Sequence, residues 1–97
     1  MSYTVFATIS VKSEHMESAC QAVAAIVPAT RGEVGCHAFE PCRAADGSST
    51  IKIFEQWEDR NAFDFHHAQD YTKDVFAKYE NWLASEPVLV EVTTLEG

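Results

Sequence analysis

Apolar and polar side chains alternate along Tyr3-Thr4-Val5-Phe6-Ala7-Thr8-Ile9-Ser10-Val11, with Tyr3, Val5, Ala7, Ile9 and Val11 on one face. This period of two, in a segment rich in β-branched residues, predicts a strand over residues 3 to 11. The period then lengthens. Ser13 is a good N-cap, Glu14 and Glu17 complement a helix N-terminus, and Met16, Cys20, Val23 and Val27 follow three-to-four spacing, which predicts a helix from about residue 14 to 27. Pro28 should kink or end it, and Gly32 and Gly35 supply a loop. Residues 36 to 43 read as a second strand, with His37 and Phe39 on one side and Cys36, Ala38, Glu40 and Cys42 on the other. Asp46-Gly47 marks a turn that closes a hairpin onto a third strand over residues 50 to 58. Asp59 can cap a short helix from 60 to 68, and Asp70 a longer one with a stripe of Tyr71, Val75, Tyr79 and Trp82, widened by Phe76 and Leu83. Pro87 is expected to stop that helix, and residues 88 to 95 form the last strand.

The order strand, helix, strand, strand, helices, strand is the split β-α-β pattern of an α+β, ferredoxin-like fold. It predicts a four-stranded antiparallel sheet with helices on one face, residues 1 to 97 forming a single domain without repeats or linkers. The bare face of such a sheet carries large apolar groups whichever way the strands point: Phe6, Phe54 and Leu89, or Val5, Ile53 and Val90. A second copy pressed sheet to sheet would cover it, so a homodimeric α/β barrel with isologous symmetry is expected.

Charge narrows the partners. Seven Lys and Arg against fifteen Asp and Glu give a net charge of -8, which repels nucleic-acid phosphates and anionic membranes. With no leader-like segment and no run of about 20 apolar residues, the expected location is the cytoplasm. Cys20, Cys36 and Cys42 match no metal or redox spacing. Cys36 and Cys42 on one strand would stand about 20 Å apart at ~3.3 Å per residue, so reduced thiols are expected.

Candidate chemistry centres on the helix after Trp57. Counting 100° per residue, His66 lies roughly 35° from the apolar direction set by Ala62, Phe63 and Phe65, and His67 roughly 135° away. His66 therefore points inward and His67 outward to solvent. His66 is either a core histidine with a satisfied hydrogen bond or, kept neutral by burial, a general base near pH 7. Adjacent helical histidines diverge too far to share one metal, and Ala62 and Asp70 hold the positions four residues from His66, so no metal is expected. His37 is a second inward candidate of mainly structural character. Phe39, Phe54, Trp57, Phe63, Tyr71, Tyr79 and Trp82 are mostly core, yet around a short broken helix they leave room for a pocket suited to a flat ring. Glu55 in an apolar strand must be paired or protonated. Glycine-rich nucleotide loops, G-x-S-x-G and H-E-x-x-H are all missing, so the sequence offers a pocket and a base, with no cofactor signature.

Three segments carry a resemblance over nearly the whole length: Thr30-Arg31-Gly32-Glu33-Val34-Gly35-Cys36, Phe54-Glu55-Gln56-Trp57-Glu58-Asp59, and His66 in the following helix. Together they resemble the antibiotic biosynthesis monooxygenase domain family, small dimeric α+β barrels that include quinol monooxygenases. Val34 stands where that family often has Pro, and Gln69 or Asp70 where it has a second His. The resemblance implies cofactor-independent oxygenation of a small phenolic or quinol substrate by O2, with His66 as catalytic base and the seven aromatic residues as the substrate-binding wall. A similar branch isomerises a phosphorylated breakdown product of autoinducer-2, and would want a basic phosphate clamp drawn from Lys52, Lys73, Lys78 and the arginines. A haem-degrading relative would want Asn on the first strand, which this strand lacks. A dimeric barrel that binds a small hydrophobe without transforming it is the non-enzymatic alternative.

Overall fold

The computed structural model describes residues 2–95. Its elements are β1 (Tyr3–Ser10), α1 (Met16–Ala25), α2 (Val27–Arg31), β2 (Cys36–Arg43), β3 (Thr50–Trp57), α3 (Arg60–His67), α4 (Asp70–Trp82) and β4 (Val88–Val92). The strands form one antiparallel sheet in the order β2-β3-β1-β4, the ferredoxin-like arrangement expected from the element order. Among the described residues no helix is long and apolar enough to cross a membrane.

Strand alternation builds the core. Val5, Ala7 and Ile9 of β1 and Ile51, Ile53 and Trp57 of β3 face the helices and are buried against Met16, Ala19 and Val23 of α1 and Val75 and Tyr79 of α4. Each large aliphatic side chain removed from water in this layer contributes about 1.5–3 kcal/mol. The opposite face is left open: Phe6 is 48% exposed and packs on Phe54 with ring centroids 5.2 Å apart, beside the half-exposed Val88 and Val90.

The β2–β3 hairpin turns through Gly47, whose φ of 82° lies in the left-handed region, with Ser48 N–H donating to Asp46 Oδ1 at 2.9 Å. Asp59 caps α3 as expected, accepting from Ala62 N–H at 2.9 Å. Other boundaries differ for identifiable reasons. The first helix is preceded by a 3₁₀ turn at Ser13–His15 in which Ser13 makes no cap, and it breaks at Ile26. Pro28 then sits in the first turn of α2, where its missing N–H has no intrahelical partner to lose. Helix α4 ends at Trp82, well before Pro87, because Leu83 turns extended and pairs with Val11 of the β1 continuation. The last strand stops at Val92.

The largest departure is in β2. A bulge between Cys36 and Ala38 places Cys36 opposite Trp57 and Ala38 opposite Gln56, so Cys36 and Phe39 share the inner side and His37 becomes the extra residue. His37 is therefore not an inward candidate. It reaches Glu58 at 3.2 Å on the surface.

The loop after α2 is curled by successive turns, Glu33 N–H to Thr30 O at 3.1 Å and Cys36 N–H to Glu33 O at 3.0 Å, which drive the Glu33 side chain inward. Gly35 fixes this loop against the start of α3. Its carbonyl accepts from Glu58 N–H at 2.8 Å, and a Cβ at Gly35 would come within 2.3 Å of Ala62 Cβ. The loop carrying Glu33 and the helix carrying His66 are thus held at a separation that a side chain at residue 35 would break.

Candidate active site

His66 is 3% exposed, near the C-terminus of α3. Its ring stacks on Trp57 with centroids 4.8 Å apart and 29° between planes, and Phe39 tilts against it at 5.4 Å. Its Nδ1 lies 3.0 Å from Glu33 Oε2, and both side chains are only 4% exposed. Tyr71, in the first turn of α4, donates a short hydrogen bond to the same Oε2. No Lys or Arg joins Glu33 among the hydrogen bonds and ion pairs of the described residues, and its Oε1 is buried without a partner.

This arrangement sets the imidazole's tautomer. A buried carboxylate takes only donors, so Nδ1 must carry a proton toward Glu33 and the neutral ring presents a lone pair at Nε2. No group among the described residues takes up Nε2. His66 also lines a cavity of about 40 Å³, together with Ala7, Phe39, Ile53 and Glu55 from the sheet and His67, Val75 and Tyr79 from the helices. The cavity adjoins a shallow groove of about 390 Å³ at Phe76, Tyr79, Leu83 and Pro87. The inner space admits a few non-hydrogen atoms, whereas ligand sites for whole small molecules run to about 300–1,000 Å³.

Of the residues expected at the site, His66, Phe39 and Tyr79 line the cavity. Trp57 is fully buried behind His66, and Phe63 packs on Trp57 at 6.4 Å and on His67 at 4.4 Å, so both support the histidines without lining the space. Tyr71 holds Glu33 and does not face the cavity. Trp82 lies beside His15 at the far end of α4, with ring centroids 6.4 Å apart. Phe54 is on the opposite face of the sheet, because it alternates with the inward Ile53 and Glu55.

His67 is a correction. Expected in solvent, it is half-buried between Phe63 and Phe76, lines the cavity and leaves Nε2 buried without a partner. Helix α4 folds back after Gln69 and lays Phe76 over the side of α3 that the angular count leaves open. Burial, with His66 as the second cause, pushes its imidazole down to about 4. Glu33 was legible only as part of a loop motif, since no periodicity marks a turn residue as inward.

Burial pushes Glu55, Tyr79, Tyr71 and Cys36 up. Glu55 rises to about 7 from 4.5, opposed only by the N–H of Trp57, which donates to its Oε1 at 3.1 Å. Tyr79 rises to about 12 through burial and then Glu55, and Tyr71 to about 12 through burial and then Glu33. The Cys36 thiol is also raised, by burial first and then by Glu33 and Glu55, which makes it a poor nucleophile. No Lys or Arg lines the cavity, so it presents no cation to a phosphate. Arg31, Arg43 and Arg60 are engaged with Glu40, Glu17 and Asp64 on the surface.

Comparison with known proteins places the chain in a family. Residues 2–78 match the sequence model of antibiotic biosynthesis monooxygenases. The chain belongs to that family. The Mycobacterium tuberculosis protein Rv0793 superposes with a TM-score of 0.91 at 21% identity, covering 100% of this chain and 98% of that one. The Pseudomonas aeruginosa protein PA3566 gives 0.91 at 23% identity, covering 98% and 95%. A structure described as an antibiotic biosynthesis monooxygenase gives 0.89 at 21%, covering 99% and 100%. At these identities the likeness establishes the fold. No curated protein sequence matches the chain. Membership of the antibiotic biosynthesis monooxygenase family supports a monooxygenase-like function in general terms.

Glu55 and His67 make opposite demands on stability. The folded protein holds the Glu55 proton more tightly than the unfolded chain does, so stability falls as pH rises from about 4.5 through about 7, by about 3 kcal/mol. It binds the His67 proton less tightly, so stability falls as pH drops from about 6.5 through about 4. The two limbs oppose each other where they overlap. Urea unfolding across this range should show the acid-side loss uncovered in Glu55→Gln and the neutral-side loss uncovered in His67→Gln. Curves parallel to wild type in both variants would contradict these assignments.

Proposed function

We propose that the protein is a cofactor-independent monooxygenase of a small phenolic or quinol substrate, with His66 as general base. The observation that carries this reading is the Glu33–His66 bond at 3.0 Å, which engages Nδ1 and leaves Nε2 without a partner among the described residues, on a ring that lines a cavity. The substrate ring would lie in the groove between Phe76, Tyr79 and Pro87, with its hydroxyl turned toward His66. His66 Nε2 removes the hydroxyl proton, and the imidazolium so formed faces the Glu33 carboxylate and the Trp57 ring, both suited to a positive charge. The phenolate is electron-rich enough to reduce O2 itself, so the reading needs no bound electron carrier. Burial by Phe39, Ile53 and Val75 keeps water from the radical pair while oxygen joins the ring.

Oxygen uptake against a panel of hydroquinones and naphthols tests the base. His66→Ala should lower turnover by about 10²–10⁴-fold, and Glu33→Gln by about 10-fold or more through loss of the tautomer. Wild-type turnover in His66→Ala would remove His66 from the mechanism, and binding of the panel without any oxygen uptake would favour a small-hydrophobe carrier.

The active form in this reading is a dimer. Phe6, Phe54, Val88 and Val90 form an apolar patch on the face that no helix covers, bordered by Lys52, which donates to Thr8, and Gln56, which donates to Thr4. A two-fold axis through the patch would bury it against its own copy. Sedimentation should give twice the chain mass for the wild type and a single chain for Phe6→Lys; a monomeric wild type would overturn the dimer.

A further inference from the structure

Two carboxyl groups are buried among the described residues, and Glu33 is accounted for by His66 and Tyr71. The other, Glu55, is 5% exposed at the centre of β3, opposite Val5 of β1 and Phe39 of β2. Its one hydrogen bond among these residues is from Trp57 Nε1 to Oε1 at 3.1 Å, which leaves Oε2 free. The titratable groups facing it are His66 and His67 from α3, Tyr79 from α4 and Cys36 from β2, and none is a fixed cation. A carboxylate here would have no counter-charge, whereas a carboxylic acid keeps its acceptor bond to Trp57 and has a proton to give.

Glu55 and His66 meet on one small space. Glu55 lies in its sheet wall and His66 in its helical wall, and a volume of about 40 Å³ admits only a few atoms. Atoms that enter it come between walls to which both groups belong. We propose that Glu55 is the proton donor of the site, delivering a proton from its carboxyl group to substrate-bound oxygen held between it and His66. This inference rests on the monooxygenase reading above.

The proton inventory closes with these two residues. His66 Nε2 takes the hydroxyl proton, and the phenolate adds O2 at a ring carbon that bears hydrogen, giving a ring peroxide anion. The Glu55 O–H bond breaks and a bond forms from its hydrogen to the outer peroxide oxygen, giving a hydroperoxide and a carboxylate. The Glu55 carboxylate then takes the hydrogen on the ring carbon, a carbonyl forms there, and the O–O bond breaks. The departing hydroxide takes the proton from His66, leaving water. The phenol is oxidised to a quinone, one oxygen atom ends as the new carbonyl on the ring carbon and the other in water, and both side chains regain their starting states. Burial holds Glu55 protonated up to about pH 7, which makes it an acid at neutral pH.

Glu55→Gln tests this, because the amide keeps the size and an acceptor for Trp57 but carries no transferable proton. With the best hydroquinone or naphthol of the wild type, kcat should fall about 10²-fold with KM within about twofold, as for loss of a general acid. The wild-type fall in kcat/KM above about pH 7 should vanish in Glu55→Gln and persist in Glu55→Asp. Unchanged kcat and an unchanged alkaline limb in Glu55→Gln would reduce Glu55 to a structural partner of Trp57 and leave the monooxygenase reading intact. A wild type that takes up no oxygen with any substrate overturns both. Infrared titration of the wild type gives a result even if the variant fails to fold. A protonated-carboxyl band lost near pH 7 is expected, and absence of that band just below pH 7 would overturn the proposal.

Discussion

The burial of the Glu33 carboxylate is the constraint around which the site is built. Taking an ion of this kind out of water costs several kcal/mol, and the cost is offset only where donors converge with good geometry. Here the donors come from two helices: His66 of α3 at 3.0 Å and Tyr71 of α4. The carboxylate itself comes from the loop after α2, so one oxygen atom ties three segments together. Gly35 makes the meeting possible, since its missing Cβ lets the loop approach Ala62. Removing one partner of such a pair typically costs about 3–5 kcal/mol, because the other remains buried and unpaired.

The sheet supplies the second half of the site by alternation alone. Ile53, Glu55 and Trp57 point toward the helices, while Phe54 between them points away and joins Phe6 on the open face. One strand thus contributes a cavity wall, a buried acid and the aromatic bed of His66 on one side, and part of an apolar patch on the other. The same period makes the strand a poor place for a one-residue slip, which would exchange these roles. His66 rests on this bed, so its orientation is set by Trp57 beneath it and Glu33 beside it.

The fold was legible wherever a period was sustained. β1, β3 and α3 carry clear periods of two or 3.6, and their inner faces follow, including the inward direction of His66. Phe54 was expected in the pocket wall but stands on the open face with Phe6, as its alternation with the inward Ile53 and Glu55 requires. What escaped depends on contacts between elements. The bulge at His37 shifts register within β2, and only pairing with β3 reveals it. His67 is covered by Phe76 of a helix that begins after a two-residue break, and helix α4 ends through the Val11–Leu83 bridge, with no breaker residue at that point. Glu33 lies in a turn, where no face exists to be counted; its burial arises from backbone bonds to Thr30 and Cys36 and from the close approach at Gly35.

The central claim is that Glu33 fixes His66 with its proton on Nδ1 and a lone pair on Nε2. Long-range ¹H–¹⁵N correlation of the histidine rings in uniformly labelled protein reads this directly. Neutral His66 should show the Nδ1–H tautomer in the wild type and lose that bias in Glu33→Gln. An Nε2–H tautomer in the wild type would contradict the account, since the ring would then have no lone pair to turn toward the cavity.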